Sequence, residues 1–182
     1  MNKNNWYVIT GGPCSGKTTV AEILGKKGYK VIYEMARLYI DEEIKKGKTL
    51  GEIRKNEYEF QKKILELKIE VEKKLPKDKL TFIERGIPDS TAYYQQLCGV
   101  EKDDFLEKAL KECKYKKVFL FEMLDYKKDY ARVESSDEAL NLEKALEKSY
   151  QDLGIEVIRV PKMSVDERIK FVLSRIVDNK NC

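Results

Sequence analysis

The sequence predicts a three-layer α/β fold: a five-stranded parallel sheet with helices on both faces. Two observations carry that expectation. Short apolar runs alternate with segments of helical periodicity along the 182 residues, which is the signature of repeated βα units. A glycine-rich turn also stands between the first apolar run and the first helical segment.

Taken in order, residues 6–10 form the first apolar run, and Val20, Ile23 and Leu24 mark the helix that follows, with Gly28 as its expected C′ residue. Residues 31–33 are the second strand. Phe60, Ile64, Leu67, Val71 and Leu75 recur at spacings of three and four, predicting one buried helical stripe. Further strands are expected at 80–83, 118–121 and 155–160. Ser135 with Glu138, and Ser164 with Glu167, have the spacing of a capping box at the start of a helix. The second of these leads into a stripe of Ile169, Val172, Leu173 and Ile176. The sequence shows no repeat, low-complexity tract or Pro/Gly linker, so a single domain over 1–182 is expected.

Gly11-Gly12-Pro13-Cys14-Ser15-Gly16-Lys17-Thr18 fits G-x-x-x-x-G-K-[ST] in full, followed by Thr19. Glycines let backbone N–H groups wrap a phosphate with no Cβ in the way. Lys17 brings a point charge to the β and γ oxygens, and Thr18 offers a hydroxyl to Mg²⁺. The helix that begins there turns its positive end toward the anion. The motif lies between a hydrophobic strand and an amphipathic helix, as a P-loop (Walker A) requires. Residues 11–19 are therefore the expected nucleotide cradle, and ATP and Mg²⁺ the expected cofactors. Cys14 is read as a small residue that suits the loop.

Two apolar runs end in an acid. Glu84 closes the third, at the carboxyl edge where α/β sheets bind ligands, and is placed to hold Mg²⁺ or its water. Arg85 follows and suits a phosphoryl clamp, since guanidinium is a planar multi-donor group. Seven of the 36 basic residues are arginine, so an arginine at such an edge stands out. Glu34 ends the second run and is the candidate general base; helix capping is its structural alternative. Arg37, one turn later, would hold an acidic group on the acceptor or the transferred phosphate. Tyr126, Lys127, Lys128, Asp129, Tyr130, Ala131 and Arg132 form a polar cationic stretch suited to a lid, with Arg132 stabilising transferred charge. Pro161 and Lys162, after the fifth strand, would pack on a nucleobase or simply end the strand.

Composition narrows the chemistry. The chain has no histidine, which excludes His-based triads and His-ligated zinc. Any general base is then a carboxylate, Lys, Tyr or Cys. Cys14, Cys98, Cys113 and Cys182 have neither metal-ligand spacing nor the density of a disulfide framework. The net charge of +4 is spread over interleaved Lys, Asp and Glu, so no basic stripe for nucleic acid is expected. No apolar stretch approaches bilayer length and no signal peptide is evident, so a cytoplasmic, membrane-free protein is expected, as monomer or homodimer.

The motifs together resemble a known family. Residues 11–19, Glu34-Met35-Ala36-Arg37, Phe60-Gln61, Glu84-Arg85-Gly86-Ile87-Pro88-Asp89-Ser90, Tyr126-x-x-Asp129-x-x-Arg132 and the Val160-Pro161 turn before 164–168 occur in that order. They resemble the AAA-labelled ATPase/kinase domain associated with NAD metabolism, the NadR-like group, across nearly the whole chain. The layout is also similar to deoxynucleoside kinases. The resemblance implies Glu34 as base, Phe60 and Gln61 as acceptor contacts, Glu84 and Arg85 as metal and phosphate contacts, and Asp89 beside the acceptor. Gly86 stands where those kinases carry serine, so nucleoside specificity does not transfer.

The expected activity is an ATP- and Mg²⁺-dependent phosphotransferase acting on a small hydroxyl-bearing metabolite, with a helix pair between the second and third strands lining the acceptor pocket. The alternative is an ATP- or GTP-binding regulatory protein with slow NTPase activity. The sequence has no Asn-Lys-x-Asp guanine motif, which argues for adenine.

Overall fold

A computed structural model describes residues 3–124 and 136–176. Its elements are β1 Trp6–Thr10, α1 Lys17–Lys26, β2 Lys30–Ile32, α2 Met35–Lys45, α3 Leu50–Ile53, α4 Glu57–Lys73 and β3 Thr81–Glu84. They continue with α5 Asp89–Cys98, α6 Asp104–Lys111, β4 Lys117–Phe121, α7 Ser136–Gln151, β5 Val157–Val160 and α8 Val165–Ile176.

The five strands form one parallel sheet in the order β2-β3-β1-β4-β5, as expected from the sequence. β1 is central, with Val8 facing Ile83 on one side and Val118 on the other. Every residue of β1 is buried, and the pleat sends alternate side chains to opposite layers. Tyr7 and Ile9 join Val20 and Leu24 of α1 and Ile169, Val172 and Ile176 of α8. Trp6 and Val8 pack on the other face, with Ile83, Val118, Tyr115 and Tyr150. Phe119 and Phe121 of β4 join the first layer, while Leu120 meets Leu142 and Leu146 of α7.

Local chemistry sets the helix ends. Gly28 (φ 91°) follows the α1 C-cap Lys27, as its position predicted. At the start of α8 the Ser164 hydroxyl accepts from the Glu167 N–H at 3.4 Å, and the Ser164 N–H donates to Glu167 Oε2 at 2.9 Å. An equivalent box at Thr49 and Glu52 opens α3, and the Asn56 and Asp103 side chains cap α4 and α6.

Three expectations are corrected. β2 ends at Ile32, and Tyr33 lies outside it, 37% exposed. β5 begins at Val157; Ile155 instead donates its N–H to the Tyr150 carbonyl just after Gly154 turns the chain with φ 67°. On α4 the buried face is Phe60, Gln61, Ile64, Leu65, Lys68 and Glu72; of the expected stripe Phe60, Ile64 and Leu75 are buried, and Leu67 and Val71 are only partly so. Three of those six side chains are polar, and a hydrophobic pattern cannot reveal a face that borders a polar cleft. The Ser135–Glu138 box lies outside the described residues and side chains.

Candidate active site

The site sits at the carboxyl edge of β1, β2 and β3. A cleft there is lined by Pro13, Lys17 and Thr18 from the loop and α1, by Glu34, Ala36, Arg37 and Ile40 around α2, and by Arg54 after α3. Phe60, Gln61, Ile64 and Lys68 of α4, with Arg85 and Tyr93, complete it. The glycine-rich loop, Glu34 and the expected helix pair α2 and α4 therefore share one cavity, while Glu84 lies beside it, bonded to Thr18.

The loop is held from three directions. Gly11, at φ 148°, leaves no room for a Cβ, which would stand 2.4 Å from the Phe121 carbonyl oxygen at the end of β4. Gly16 takes a left-handed φ of 74° and serves as the N-cap of α1. Cys14 also has a positive φ, 55°, and its carbonyl accepts from the Leu124 N–H at 3.0 Å. Gly12, Pro13, Ser15 and Lys17 are buried, and the Lys17 ammonium donates to the Gly12 carbonyl at 3.2 Å. The Ser15 hydroxyl is buried with no hydrogen-bond partner among the described residues. An orphaned donor inside a glycine loop at a helix N-terminus fits a phosphate oxygen. Burial, and then the neighbouring Arg85 charge, lower the Lys17 pKa to about 8, against the upward pull of Glu34, Glu84 and Asp89. Thr19 is exposed on the first turn of α1 and does not line the cleft.

Thr18 and Glu84 are in direct contact. The Thr18 hydroxyl donates to Glu84 Oε1 at 2.5 Å, and Glu84 is 1% exposed. Burial and the Glu34 carboxylate raise the Glu84 pKa. Among the described residues no three His, Cys, Asp or Glu side chains cluster as a closed cage. One hydroxyl and one carboxylate nevertheless fit Mg²⁺, which keeps several waters and takes its remaining ligands from substrate phosphates.

Glu34 is the α2 N-cap residue by position, but its side chain makes no capping bond. It accepts instead from Arg85 Nε at 2.9 Å. Burial pushes the Glu34 pKa up, but the charges of Arg85, Lys17, Arg37 and Lys68 outweigh it and hold the carboxyl well below the usual range. Arg85 has a left-handed φ of 62°, a costly conformation for a side chain of this size, and its guanidinium lies 5.2 Å from the centre of the Tyr93 ring. Such strain concentrates where a side chain has to be aimed.

Asp89 is corrected as a direct acceptor contact. It is fully buried at 0% exposure and does not line the cleft. Its carboxylate accepts from the Thr10 and Tyr150 hydroxyls and lies 3.4 Å from Arg85 Nη1. It therefore positions Arg85 from beneath. Phe60 and Gln61 line the cleft as expected, and Gln61 is buried, donating to Glu57 Oε1 at 2.8 Å. Pro161 and Lys162 are exposed beyond β5 and do not line the cleft. Arg132 and the lid stretch 126–132 lie outside the described residues.

Sequence reading missed two basic residues. Arg168 of α8 is 1% exposed and donates to the carbonyls of Ser15, Glu122 and Pro161, tying the loop to the ends of β4 and β5. Lys68 of α4 is 5% exposed, lines the cleft and donates to the Gly86 carbonyl at 3.0 Å and the Ser90 hydroxyl at 3.3 Å. The signal was available: each is a basic residue at a helix position neighbouring a predicted apolar stripe. The glycine at 86 also has a local cause, since a Cβ there would lie 3.0 Å from both the Tyr115 and the Tyr150 hydroxyls.

A protein-family model described as an AAA domain matches residues 6–168. The chain belongs to this AAA domain family. Solved structures agree with the α/β P-loop kinase fold of this AAA domain. A deoxyadenosine kinase from M. mycoides with bound dCTP superposes with a TM-score of 0.63 at 15% identity, covering 94% of this chain and 98% of its own. The NadR protein in complex with NR gives 0.71 at 12% identity, covering 97% of this chain but 51% of NadR, so the chain spans about half of that protein. A thymidylate kinase from Ehrlichia chaffeensis gives 0.61 at 14% identity, with 95% and 98% covered. No curated protein matches the sequence. Among the described residues no helix is long and apolar enough to cross a membrane.

Proposed function

We propose that this protein transfers the γ-phosphoryl group of ATP to a hydroxyl of a small metabolite, with a nucleoside as one candidate acceptor. One observation carries the reading: Lys17, Thr18, Glu34 and Arg85 line a single cleft whose other wall is Phe60, Gln61 and Ile64 of α4. A phosphate cradle and a mixed acceptor wall, apolar at Phe60 and Ile64 and polar at Gln61, thus line one cleft with a carboxylate. The likeness in fold to a deoxyadenosine kinase, a thymidylate kinase and NadR supports it.

In this mechanism the acceptor oxygen bonds to the γ-phosphorus as the bond from phosphorus to the β,γ-bridging oxygen breaks, and ADP leaves with the electron pair. The hydroxyl proton passes to the Glu34 carboxylate. Because the transition state is loose, that transfer is late, and a carboxylate of low basicity suffices. Arg85, held by Asp89 and Glu34, neutralises charge on the moving phosphoryl group, and Lys17 does the same at the β and γ oxygens. Mg²⁺ would be held by Thr18 and Glu84 and would there supply further neutralisation of phosphate charge. Arg132 is assigned the same task, and Pro161 and Lys162 the edge of the nucleobase.

The test is ADP formation from ATP and Mg²⁺ over a panel of hydroxyl metabolites. Acceptor-dependent ADP is expected, and Glu34→Gln should lower turnover by about 10²-fold. An acceptor-independent, slow release of phosphate would favour a regulatory NTPase instead. Unchanged turnover in Glu34→Gln would remove Glu34 as base.

A further inference from the structure

Lys68 takes no part in the transfer just described, yet it is 5% exposed and lines the same cleft. Burying an ammonium is unfavourable unless charge or hydrogen bonds compensate. Its hydrogen-bond partners are two neutral oxygens, the Gly86 carbonyl and the Ser90 hydroxyl, while the Asp89, Glu72 and Glu34 carboxylates act on it by charge without bonding it. An ammonium has three donors, so one remains beyond those two bonds.

The surrounding wall is cationic in the same sense. Among the described residues lining the cleft, Lys17, Arg37, Arg54, Lys68 and Arg85 carry positive heads and Glu34 is the one acid. The acids that balance them do not line it: Glu57 pairs with Arg54, Asp89 lies beneath Arg85, and Glu84 bonds Thr18. Lys17 and Arg85 are accounted for by the phosphates of the donor. Arg37 on α2, Arg54 beside α3 and Lys68 on α4 belong instead to the elements that build the acceptor half. Arg54 is further fixed by lying 5.0 Å over the Phe60 ring. Three cationic heads around an apolar wall of Phe60, Ile64 and Ile40 form a pocket matched to a molecule with an apolar body and an anionic end.

We infer that the acceptor carries an anionic group of its own, a carboxylate or phosphate separate from the reacting hydroxyl, and that Lys68 binds this group together with Arg37 and Arg54. This rests on the phosphotransferase reading. It makes Lys68 a specificity-determining residue, distinct from a mere tie between α4 and the turn at Gly86.

The experiment compares matched pairs under ATP and Mg²⁺, with the phosphorylated product identified by mass and position: nucleosides with their 3′-monophosphates, ribose with ribose 5-phosphate, and glycerol with glycerate. At least one charged member should exceed its neutral partner by about tenfold or more in kcat/KM. Whether that member is a phosphate or a carboxylate identifies the group. Lys68→Met should then raise KM for that acceptor by about tenfold with kcat changed far less. The KM for ATP should stay within about twofold, and Lys68→Arg should restore much of the acceptor affinity. Calorimetric binding of the same charged acceptor to Lys68→Met and Lys68→Arg, each checked for a wild-type circular dichroism spectrum, provides a readout independent of turnover. Neutral members turning over as well as charged ones would overturn the inference and leave the phosphotransferase reading intact. So would equal losses on both members in Lys68→Met, which is what a structural tie predicts. No acceptor-dependent ADP from any pair would overturn the phosphotransferase reading and this inference with it.

Discussion

Arg85 and Lys17 are held by opposite means. Arg85 is aimed by a strained backbone, φ 62°, and by two carboxylates; Lys17 is enclosed by its own loop. The consequence for Lys17 is a protonation change on binding. With its pKa lowered to about 8 by burial and Arg85, part of the population is neutral at pH 8 to 9. A bound triphosphate favours the ammonium and raises that pKa, so binding in this range should take up protons. Calorimetry in buffers of different ionisation enthalpy should show uptake that vanishes below about pH 6.5. Lys17→Ala should abolish the uptake and weaken nucleotide binding by about 10²-fold or more. Nucleotide affinity equal to wild type in that variant would remove the P-loop assignment. The motif was legible in the sequence because its spacing is contiguous. The role of Asp89 was not, because only the fold shows Thr10 and Tyr150 closing over it.

At the scale of elements, α4 explains both a success and a miss. Its apolar periodicity marked a helix, and Phe60 and Ile64 are buried as predicted. The inner face also carries Gln61, Lys68 and Glu72, because it borders both the core and a polar cleft. Glu72 accepts from the Tyr115 hydroxyl at 2.6 Å, and burial raises its pKa to about 7. A carboxyl whose folded pKa exceeds its unfolded one favours the fold while protonated. Its contribution is therefore complete below about pH 4.5 and is lost as pH rises through 7. Glu72→Gln should raise stability by about 2 kcal/mol at pH 8 and change it little at pH 4.5, measured by urea denaturation at the two pH values. At the α8 N-terminus, Ser164→Ala should cost about 1 kcal/mol through loss of the capping box, in the same assay. That box was readable because both partners lie within four residues of each other.

For the whole molecule, Arg168 carries a connection across 153 residues of chain. It joins the last described helix to the loop after β1 through the Ser15 carbonyl, with the Glu122 and Pro161 carbonyls as further acceptors. Arg168→Met should cost about 3 kcal/mol by leaving buried carbonyls unpaired, and should weaken nucleotide binding by loosening the loop. Differential scanning calorimetry with and without the nucleotide would show a lower melting temperature and a smaller ligand-induced rise. A wild-type ligand-induced rise would uncouple Arg168 from the loop.

By itself the sequence determined what is local: a glycine loop between a strand and a helix, the acid that ends β3, the capping box at Ser164, and the α/β alternation. Each rests on residues within a few positions of one another, where backbone geometry follows from composition. Tertiary structure decided the order β2-β3-β1-β4-β5, the burial of Lys68, Asp89 and Arg168, and the pairing of Glu34 with Arg85 across 51 residues of chain. Those outcomes depend on which strands lie side by side. A hydrophobic pattern records that a face is covered, but it does not record which charged partner from a distant segment makes the burial of a polar group tolerable.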